Sequence, residues 1–143
     1  DEHGTWNDAV DYLFKLADIL FEIQNDEQKT RTDNIVAQVK QHIRRNIQNG
    51  LSVYSLGEFI HLNPIYLSRL FKQSTGTNLS DFIIDERIKE AKKLLENNEM
   101  KIHEIAQAVG CTSSNYFSRM FKKSTGITPQ EYRSKMISPD EYV

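Results

Sequence analysis

Hydrophobic residues recur with helical spacing along most of this chain of 143 residues. In successive segments the apolar side chains fall at positions i, i+3 and i+4, which is the spacing of one buried stripe on an α-helix. The pattern predicts an all-α fold of about seven helices, preceded by an extra N-terminal amphipathic helix. The predicted helices cover about residues 6–23, 35–47, 55–62, 64–75, 79–97, 102–109, 114–124 and 129–136.

One stretch of the chain occurs twice. Tyr66 to Gly76 reads YLSRLFKQSTG, and Tyr116 to Gly126, fifty residues later, reads YFSRMFKKSTG. Eight of the eleven aligned positions are identical, and the three differences keep the chemistry. Self-similarity at a fixed offset means that one supersecondary unit is used twice, here as a tandem pair.

Each copy carries a largely polar face opposite its apolar stripe. An arginine can reach guanine O6 and N7 with two hydrogen bonds, an asparagine can read adenine, and a lysine neutralises a nearby phosphate. A solvated amphipathic surface is the alternative interpretation for one helix alone, but repetition of the whole pattern favours base reading. The face consists of Ile65, Ser68, Arg69 and Lys72 in the first copy and of Asn115, Ser118, Arg119 and Lys122 in the second.

A short helix precedes each copy. Ser55 and Glu58 form a Ser-x-x-Glu capping box, which predicts the start of the first short helix. Asn63 is the predicted cap of the following helix, with Pro64 in its first turn and Gly76 at its end. Two short helices joined by a tight turn, the second with a readable polar face, are typical of a helix-turn-helix.

The second unit begins at about Lys101 and repeats this arrangement. Gly110 marks its turn, which is one residue longer than the first because the repeat offset changes from 49 to 50 across it. Thr128 predicts the cap of a last helix, on which Tyr132 and Met136 are expected to close the core.

A longer helix is predicted between the two units, over about residues 79–97. About 18 residues at roughly 1.5 Å each give a length of roughly 27 Å. Because one turn of B-DNA is about 34 Å, two readers at the ends of this helix would meet successive major grooves only if the duplex bends or the units tilt. The predicted architecture is two helix-turn-helix subdomains bridged by a long helix.

The N-terminal region has a different character, because its helix is apolar round most of its girth. Three interpretations stay open: packing on the following domain, membership of a sensor domain, or homodimer formation through residues 6–23. A sensor and dimerisation role is favoured over packing. The seam with heptad spacing consists of Trp6, Val10, Leu13, Ala17 and Leu20.

The polar stretch from Asn25 to Asp33 predicts a break between helices, with Thr32 or Asp33 as the next cap. The chain is therefore divided into three parts. The predicted domains are residues 1–33, an N-terminal helix and linker, residues 34–137, the tandem helix-turn-helix domain, and residues 138–143, a tail.

A formal net charge of −2 and a pI near 6.1 are unusual for a protein that binds nucleic acid. The charge is unevenly distributed, however. Residues 1–33 hold nine acids and three bases, a net of −6, whereas residues 34–143 hold eleven acids and fifteen bases, a net of +4. We expect the acidic segment to face away from any phosphate backbone.

Composition limits the remaining possibilities. No apolar run reaches the roughly 18 residues that a membrane span needs, so no membrane association is expected. A single cysteine, Cys111, excludes an internal disulfide and is typical of the cytoplasm. Because the sequence opens with Asp1 rather than Met, we expect a fragment or a processed chain.

The four histidines lie far apart, and none has metal-ligand spacing with another histidine, with Cys111 or with a carboxylate. There is no glycine-rich phosphate loop and no activated serine motif. The sequence therefore predicts no enzyme, no metal site and no cofactor.

The runs LGEFIHLNPIYLSRLFKQSTG and IHEIAQAVGCTSSNYFSRMFKKSTGITPQEYR resemble the DNA-binding domain of the AraC/XylS family of bacterial transcription regulators. The resemblance covers about residues 34–136 and implies seven helices that bind an asymmetric double-stranded DNA site. It also implies an activator with RNA polymerase as a partner. The implied base readers are Ile65, Ser68, Arg69, Ser114, Asn115, Ser118 and Arg119, and the implied phosphate contacts are Lys72, Lys122 and Lys123.

Three positions depart from the family pattern. Cys111 replaces an aromatic residue, which implies either a buried inert thiol or a redox-sensitive position in a looser core. Gly57 replaces an alanine, at a cost of about 1 kcal/mol in helix stability. Ile65 and Ser68 are short for base readers, so base reading in the first unit is expected to rest on Arg69 and on contact with a thymine methyl.

A protein-interaction module is the alternative function. Helix-turn-helix surfaces also bind proteins, and one unit could dock on RNA polymerase or another partner with only non-specific affinity for DNA. Salt dependence separates the two functions, because log affinity for DNA falls steeply with log salt.

Overall fold

The computed structural model describes the backbone of residues 2–137 and the side chains of residues 4–137, so the predicted tail, 138–143, lies outside it. The described residues form seven helices and no strand, which confirms the all-α prediction. The chain divides into two compact units, 1–37 and 38–143. The helices are α1 (Glu2–Arg45), α2 (Val53–Ile60), α3 (Pro64–Thr75), α4 (Leu79–Leu95), α5 (Ile102–Ala108), α6 (Ser114–Thr125) and α7 (Pro129–Ile137).

The predicted break at residues 25–33 is wrong, since α1 runs without interruption from Glu2 to Arg45. The stretch is polar, but it contains no glycine or proline, and its glutamate, glutamine, lysine and arginine favour the helix. The Thr30 hydroxyl donates to the Asp26 carbonyl at 2.9 Å, as a threonine inside a helix does. The extra N-terminal helix and the first helix of the predicted domain are therefore one helix.

Large apolar side chains near the N-terminal end of α1 lie exposed. Trp6 is 71% exposed and Phe14 is 68% exposed, although both belong to a side-chain type that normally seeks burial. From Trp6 onward the exposed set extends over about five turns and also includes Tyr12, Leu13, Leu16, Ile19, Leu20, Phe21 and Ile23.

The start of α2 also differs from the prediction. The cap is Ser52, not Ser55, and the two serines cap each other: Ser55 N donates to Ser52 Oγ at 3.1 Å, and Ser52 N donates to Ser55 Oγ at 3.0 Å. Ser55 therefore occupies the third helical position, where its side chain closes a capping box. The helix ends at Ile60 rather than Leu62, because His61 adopts a left-handed conformation with φ 59°.

The predicted cap at Thr32 or Asp33 is wrong, because both residues lie inside α1, whereas the predicted caps of α3 and α7 are confirmed. Asn63 Oδ1 accepts from the backbone N–H groups of Ile65 and Tyr66 at the start of α3, and Gly76 ends that helix with φ 80°. Thr128 Oγ1 accepts from Glu131 N at the start of α7. Each cap satisfies a backbone N–H group that has no partner inside its helix.

One side of helix α4 contributes to the core of the second helix-turn-helix unit. Ile88, Ala91 and Leu95 pack with α5 and α6, and Tyr132 of α7 packs against the same cluster. Met136 is 49% exposed, so the prediction that it closes this core is wrong. The buried cluster comprises Ile88, Ala91, Leu95, Ile105, Ala106, Val109, Cys111, Phe117, Met120 and Phe121.

The core of the first helix-turn-helix unit is covered by α1, α3 and the start of α4. Phe71 is fully buried and meets Phe82 edge to face, with ring centroids 5.3 Å apart. The cations of Lys40 and Arg44 lie 5.7 and 5.8 Å from the centre of the Phe82 ring. His42 stacks on Phe59 with ring centroids 3.8 Å apart, which covers one face of that half-exposed ring.

Candidate nucleic-acid interface

Helices α3 and α6 bury the same three positions of the repeat and expose the opposite face. Leu67 and Phe71 of α3 are fully buried, as are Phe117 and Phe121 of α6. The apolar stripe thus fixes each helix in rotation about its own axis, and the polar face is turned toward solvent.

The predicted base readers lie on these exposed faces. Arg69 and Arg119 are exposed, and within the described part of the chain neither makes a hydrogen bond or an ion pair. Ile65 is 67% exposed, an unusual position for an isoleucine. Asn115 is exposed, whereas Ser68, Ser114 and Ser118 are half-buried at the edge of the face, and the predicted phosphate contacts Lys72, Lys122 and Lys123 are all exposed.

Hydrogen bonds at the exits of the two helices match. Thr75 Oγ1 lies 2.8 Å from the Phe71 carbonyl and accepts from Thr77 N at 3.2 Å. Thr125 Oγ1 lies 2.8 Å from the Phe121 carbonyl and accepts from Ile127 N at 3.4 Å. The glycines that follow both adopt a left-handed conformation, with φ 80° and 87°. The repeat is therefore one of hydrogen-bond geometry as well as of sequence.

The repeat also continues into the next helix, which the sequence comparison missed. Phe121 meets Tyr132 edge to face at 5.5 Å, as Phe71 meets Phe82, and both pairs are related by the offset of 50. The residue after each partner differs: Ile83 is a buried apolar residue, whereas Arg133 is a buried arginine. Only the offset of 50, continued past Gly126, could have identified this equivalence in the sequence.

Arg133 satisfies the end of the linker helix α4. Its Nε donates to the Leu95 carbonyl at 3.1 Å, and an Nη donates to the Asn97 carbonyl at 3.1 Å. The last carbonyls of a helix have no hydrogen-bond partner inside the helix. The buried Arg133 guanidinium donates to them, so the guanidinium and the carbonyls satisfy each other's hydrogen bonds. Arg133 thereby fastens α7 to the end of α4.

Two exposed tyrosines stand beside the readers and were not among the predicted site residues. Tyr66 is 53% exposed and Tyr116 is 41% exposed, one turn before Arg69 and Arg119 respectively. A phenol hydroxyl can donate to a phosphate oxygen. The sequence signal was present, since tyrosine occupies the same position in both copies.

Cys111 is a buried thiol, as one of the two sequence interpretations predicted. Burial raises the pKa of this thiol, and the positive charge of Arg87 opposes that rise with a smaller effect. Because the thiolate is the reactive form, the raised pKa makes Cys111 a poor nucleophile near neutral pH.

Among the described residues, no group of three or more His, Cys, Asp or Glu side chains could hold a metal ion. None of the described helices combines the length and the hydropathy that a membrane crossing requires.

A family described as a helix-turn-helix domain matches residues 56–135. The chain is 33% identical to the arabinose operon regulatory protein of Escherichia coli over 127 residues, which are 88% of this chain and 44% of that protein. It is 37% identical to the transcriptional activator RhaR of Yersinia pseudotuberculosis over 95 residues, 64% of this chain and 33% of that protein. The chain thus spans less than half the length of these relatives.

Among solved structures, the C-terminal domain of AraT, a response regulator from Geobacillus stearothermophilus, superposes with a TM-score of 0.69 at 37% identity, covering 71% of this chain and 84% of that domain. The tandem helix-turn-helix fold and these relatives together define a DNA-binding domain of a transcription regulator. The chain belongs to the AraC/XylS family of helix-turn-helix transcription regulators.

Proposed function

We propose that this chain binds a specific double-stranded DNA site by placing α3 and α6 in two successive major grooves, and that it activates transcription. One observation carries the proposal: Arg69 and Arg119, which occupy equivalent positions, are both exposed. Their helices also match in their buried stripes and in the hydrogen bonds at their C-terminal ends. Two equivalent readers on one polypeptide fit one asymmetric site without a second copy of the domain.

Each predicted reader has a role that its chemistry suits. Arg69 and Arg119 donate to guanine edges, and Asn115 reads adenine in the second groove. Ile65 contacts a thymine methyl, since a large apolar side chain exposed at the start of a reading helix has little other use. Ser68, Ser114 and Ser118 lie at the edge of each face as short adaptable donors.

Lys72, Lys122 and Lys123 contact phosphates and so set affinity rather than sequence preference. The net charge of residues 34–143, +4, supports this assignment, although the whole chain is slightly acidic. The Tyr66 and Tyr116 hydroxyls add phosphate contacts at the start of each reading helix.

The exposed apolar side chains of residues 6–23 form a homodimer contact, and residues 1–33 connect to a sensor or dimerisation region in a longer protein. RNA polymerase is the second macromolecular partner, and the cytoplasm is the compartment. The name of one relative, a transcriptional activator, supports activation as the outcome.

Selection from random duplex DNA, with the whole chain and with a chain lacking residues 1–33, tests the proposal. We expect one asymmetric site for the shorter chain and two such sites at a fixed spacing for the whole chain. Enrichment of no sequence, together with DNA binding that is equally weak for every duplex, would instead favour the protein-interaction module.

A further inference from the structure

The turn between α5 and α6 lies directly against the segment that leaves α1. A Cβ atom built on Gly110 would lie 2.3 Å from the Ile47 carbonyl oxygen and 3.4 Å from the Gln48 carbonyl carbon. A Cβ atom cannot approach a backbone oxygen so closely, so the backbone would have to move. Gly110 also has φ 84°, a conformation that L-residues other than glycine rarely adopt.

The close approach separates Gly110 from the other turn glycines. Gly76 and Gly126 have nearly the same φ, 80° and 87°, yet no atom lies within 4 Å of a Cβ built on either. Those two positions need glycine only for the backbone conformation. His61, at the position in the first turn that is equivalent to Gly110, carries a side chain at φ 59°.

The segment that touches Gly110 is held in place by its own hydrogen bonds. Asn46 N donates to the His42 carbonyl at 3.0 Å, Asn46 Nδ2 donates to the same carbonyl at 2.9 Å, and Asn49 N donates to the Asn46 carbonyl at 2.9 Å. These bonds continue α1 by one more turn. The Ile47 carbonyl therefore lies between residues that are hydrogen-bonded on both sides, and moving it aside would strain those bonds.

Arg87 of α4 completes the contact from a third side. One of its Nη atoms lies 3.4 Å from the Cβ position of Gly110, and its charge acts on the neighbouring thiol of Cys111. Its Nε is buried and is the one buried side-chain nitrogen or oxygen without a hydrogen bond among the described residues. Because the Arg87 guanidinium is not fully hydrogen-bonded, we infer that packing sets its position.

We propose that the Ile47 carbonyl and Arg87 position the second reader, by holding the turn at Gly110 and thereby the orientation of α6 and Arg119. Helix α6 begins four residues after Gly110, so a displacement of the turn must move the start of that helix. The inference rests on the proposed function, because base reading by α6 is what the contact would orient. The first reader has no glycine at the equivalent turn position, and its base pairs should be unaffected.

Gly110→Ala and Gly126→Ala form a matched pair for the test. Both add a methyl group at a positive φ, but only the first meets the Ile47 carbonyl. Binding is measured by titration with a duplex selected by the wild-type chain and with two versions in which either half of the site is scrambled. Scrambling a half should lower wild-type affinity about tenfold or more.

We expect Gly110→Ala to lose most of its discrimination of the half read by α6 and to keep its discrimination of the other half. Gly126→Ala should keep both. Equal loss at both halves in Gly110→Ala, or the same pattern in both variants, would overturn the inference. A wild-type chain that discriminates neither half refutes the proposed function instead. In that case the inference is tested by hydrogen exchange of the DNA-free Gly110→Ala variant, in which we expect faster exchange in α6 than in α3.

A measurement on the wild-type chain covers the case in which Gly110→Ala does not fold. If the contact couples the two segments, holding α6 on DNA should slow exchange of the Asn49 amide. The expected slowing occurs with the intact duplex and is absent when the half read by α6 is scrambled. Identical exchange on both duplexes would reject the coupling.

Discussion

In the first helix-turn-helix unit, α2 reaches α3 through three residues, His61 to Asn63, whereas in the second unit α5 reaches α6 through five residues, Val109 to Ser113. The turns nevertheless share one hydrogen bond. Leu62 N donates to the Gly57 carbonyl at 2.9 Å, and Cys111 N donates to the Ala106 carbonyl at 2.9 Å. Of the two additional residues, Val109 counts only because α5 ends one position earlier than α2, and the inserted residue lies after the shared bond, at Thr112.

The shorter turn brings its own backbone closer to the preceding helix. A Cβ built on Gly57 would lie 2.8 Å from the Leu62 carbonyl oxygen and 3.3 Å from Pro64 Cγ. The equivalent residue of the second unit, Ala106, carries its methyl group in the buried core. Gly57 is thus explained by this contact, and the expected loss of helix stability at that position is offset by a tighter turn. Two equivalent helices, α3 and α6, therefore follow turns of different construction.

The largest expected effect tests whether the two units unfold together. Phe71→Ala and Phe121→Ala each remove a fully buried aromatic ring, so each should lower the free energy of unfolding by about 3–5 kcal/mol. Urea unfolding followed by circular dichroism measures the loss. One shifted transition in both variants means that α4 couples the units, whereas loss of a separate transition in each variant would show that they are independent.

The difference between Ile83 and Arg133 gives the second prediction. Arg133→Met removes the hydrogen bonds to the Leu95 and Asn97 carbonyls and should cost about 2–3 kcal/mol. Ile83→Met, the matched change in the first unit, should cost less than about 1.5 kcal/mol because it conserves an apolar volume. Equal unfolding midpoints for the two variants would contradict the role of Arg133 at the end of α4.

The third prediction separates the readers by the bases that they contact. Arg69→Ala and Arg119→Ala should each weaken binding by about 1–3 kcal/mol and relax preference at different base pairs. Lys72→Ala is the control, because a lost phosphate contact weakens every sequence alike and lowers the salt slope. Competition binding against a panel of single-base variants of the site makes the distinction. Uniform loss across the panel for both arginine variants would refute base reading by these residues.

Exchanging Gly57 of α2 and Ala106 of α5, the equivalent helix residues beside the two turns, gives the fourth prediction. Gly57→Ala should destabilise the chain by about 1–2 kcal/mol, because the collision with the Leu62 carbonyl outweighs the gain in helix propensity. Ala106→Gly should cost about 1 kcal/mol, from propensity and lost packing. Thermal unfolding measures both. A stabilised Gly57→Ala variant would mean that the first turn relaxes without cost.

The smallest effect concerns the thiol in the second turn. Since burial raises the pKa of Cys111 in the folded state, the thiol contributes stability below its unfolded pKa and loses it as the pH rises through the folded pKa. Cys111→Ala should therefore flatten the alkaline end of the stability curve slightly. Modification by a disulfide reagent should stay slower in the folded chain than in urea at every pH. Equal rates would show an accessible thiol.

Much of this fold could be predicted from residues that are near neighbours in the chain. The stripes of α3 and α6, the cap at Asn63 and the turn at Gly76 depend on contacts within about four residues, and the sequence shows them directly. Two of the errors, at the start of α2 and at residues 25–33, occurred where two local signals competed. Ser52 and Ser55 both fit a capping position, and the polar residues 25–33 suit a loop or a solvated helix equally well.

The sequence by itself determined that one unit occurs twice and which residues share the polar face, because periodicity and a repeat offset are visible in the order of residues without knowledge of the fold. Only the tertiary structure decided which groups distant in sequence meet: Ile47 with Gly110, and Arg133 with the end of α4. Those partners are separated by many residues, and a backbone carbonyl carries no residue-specific signal. Packing alone brings such groups together, so the positions of the readers are a property of the folded chain.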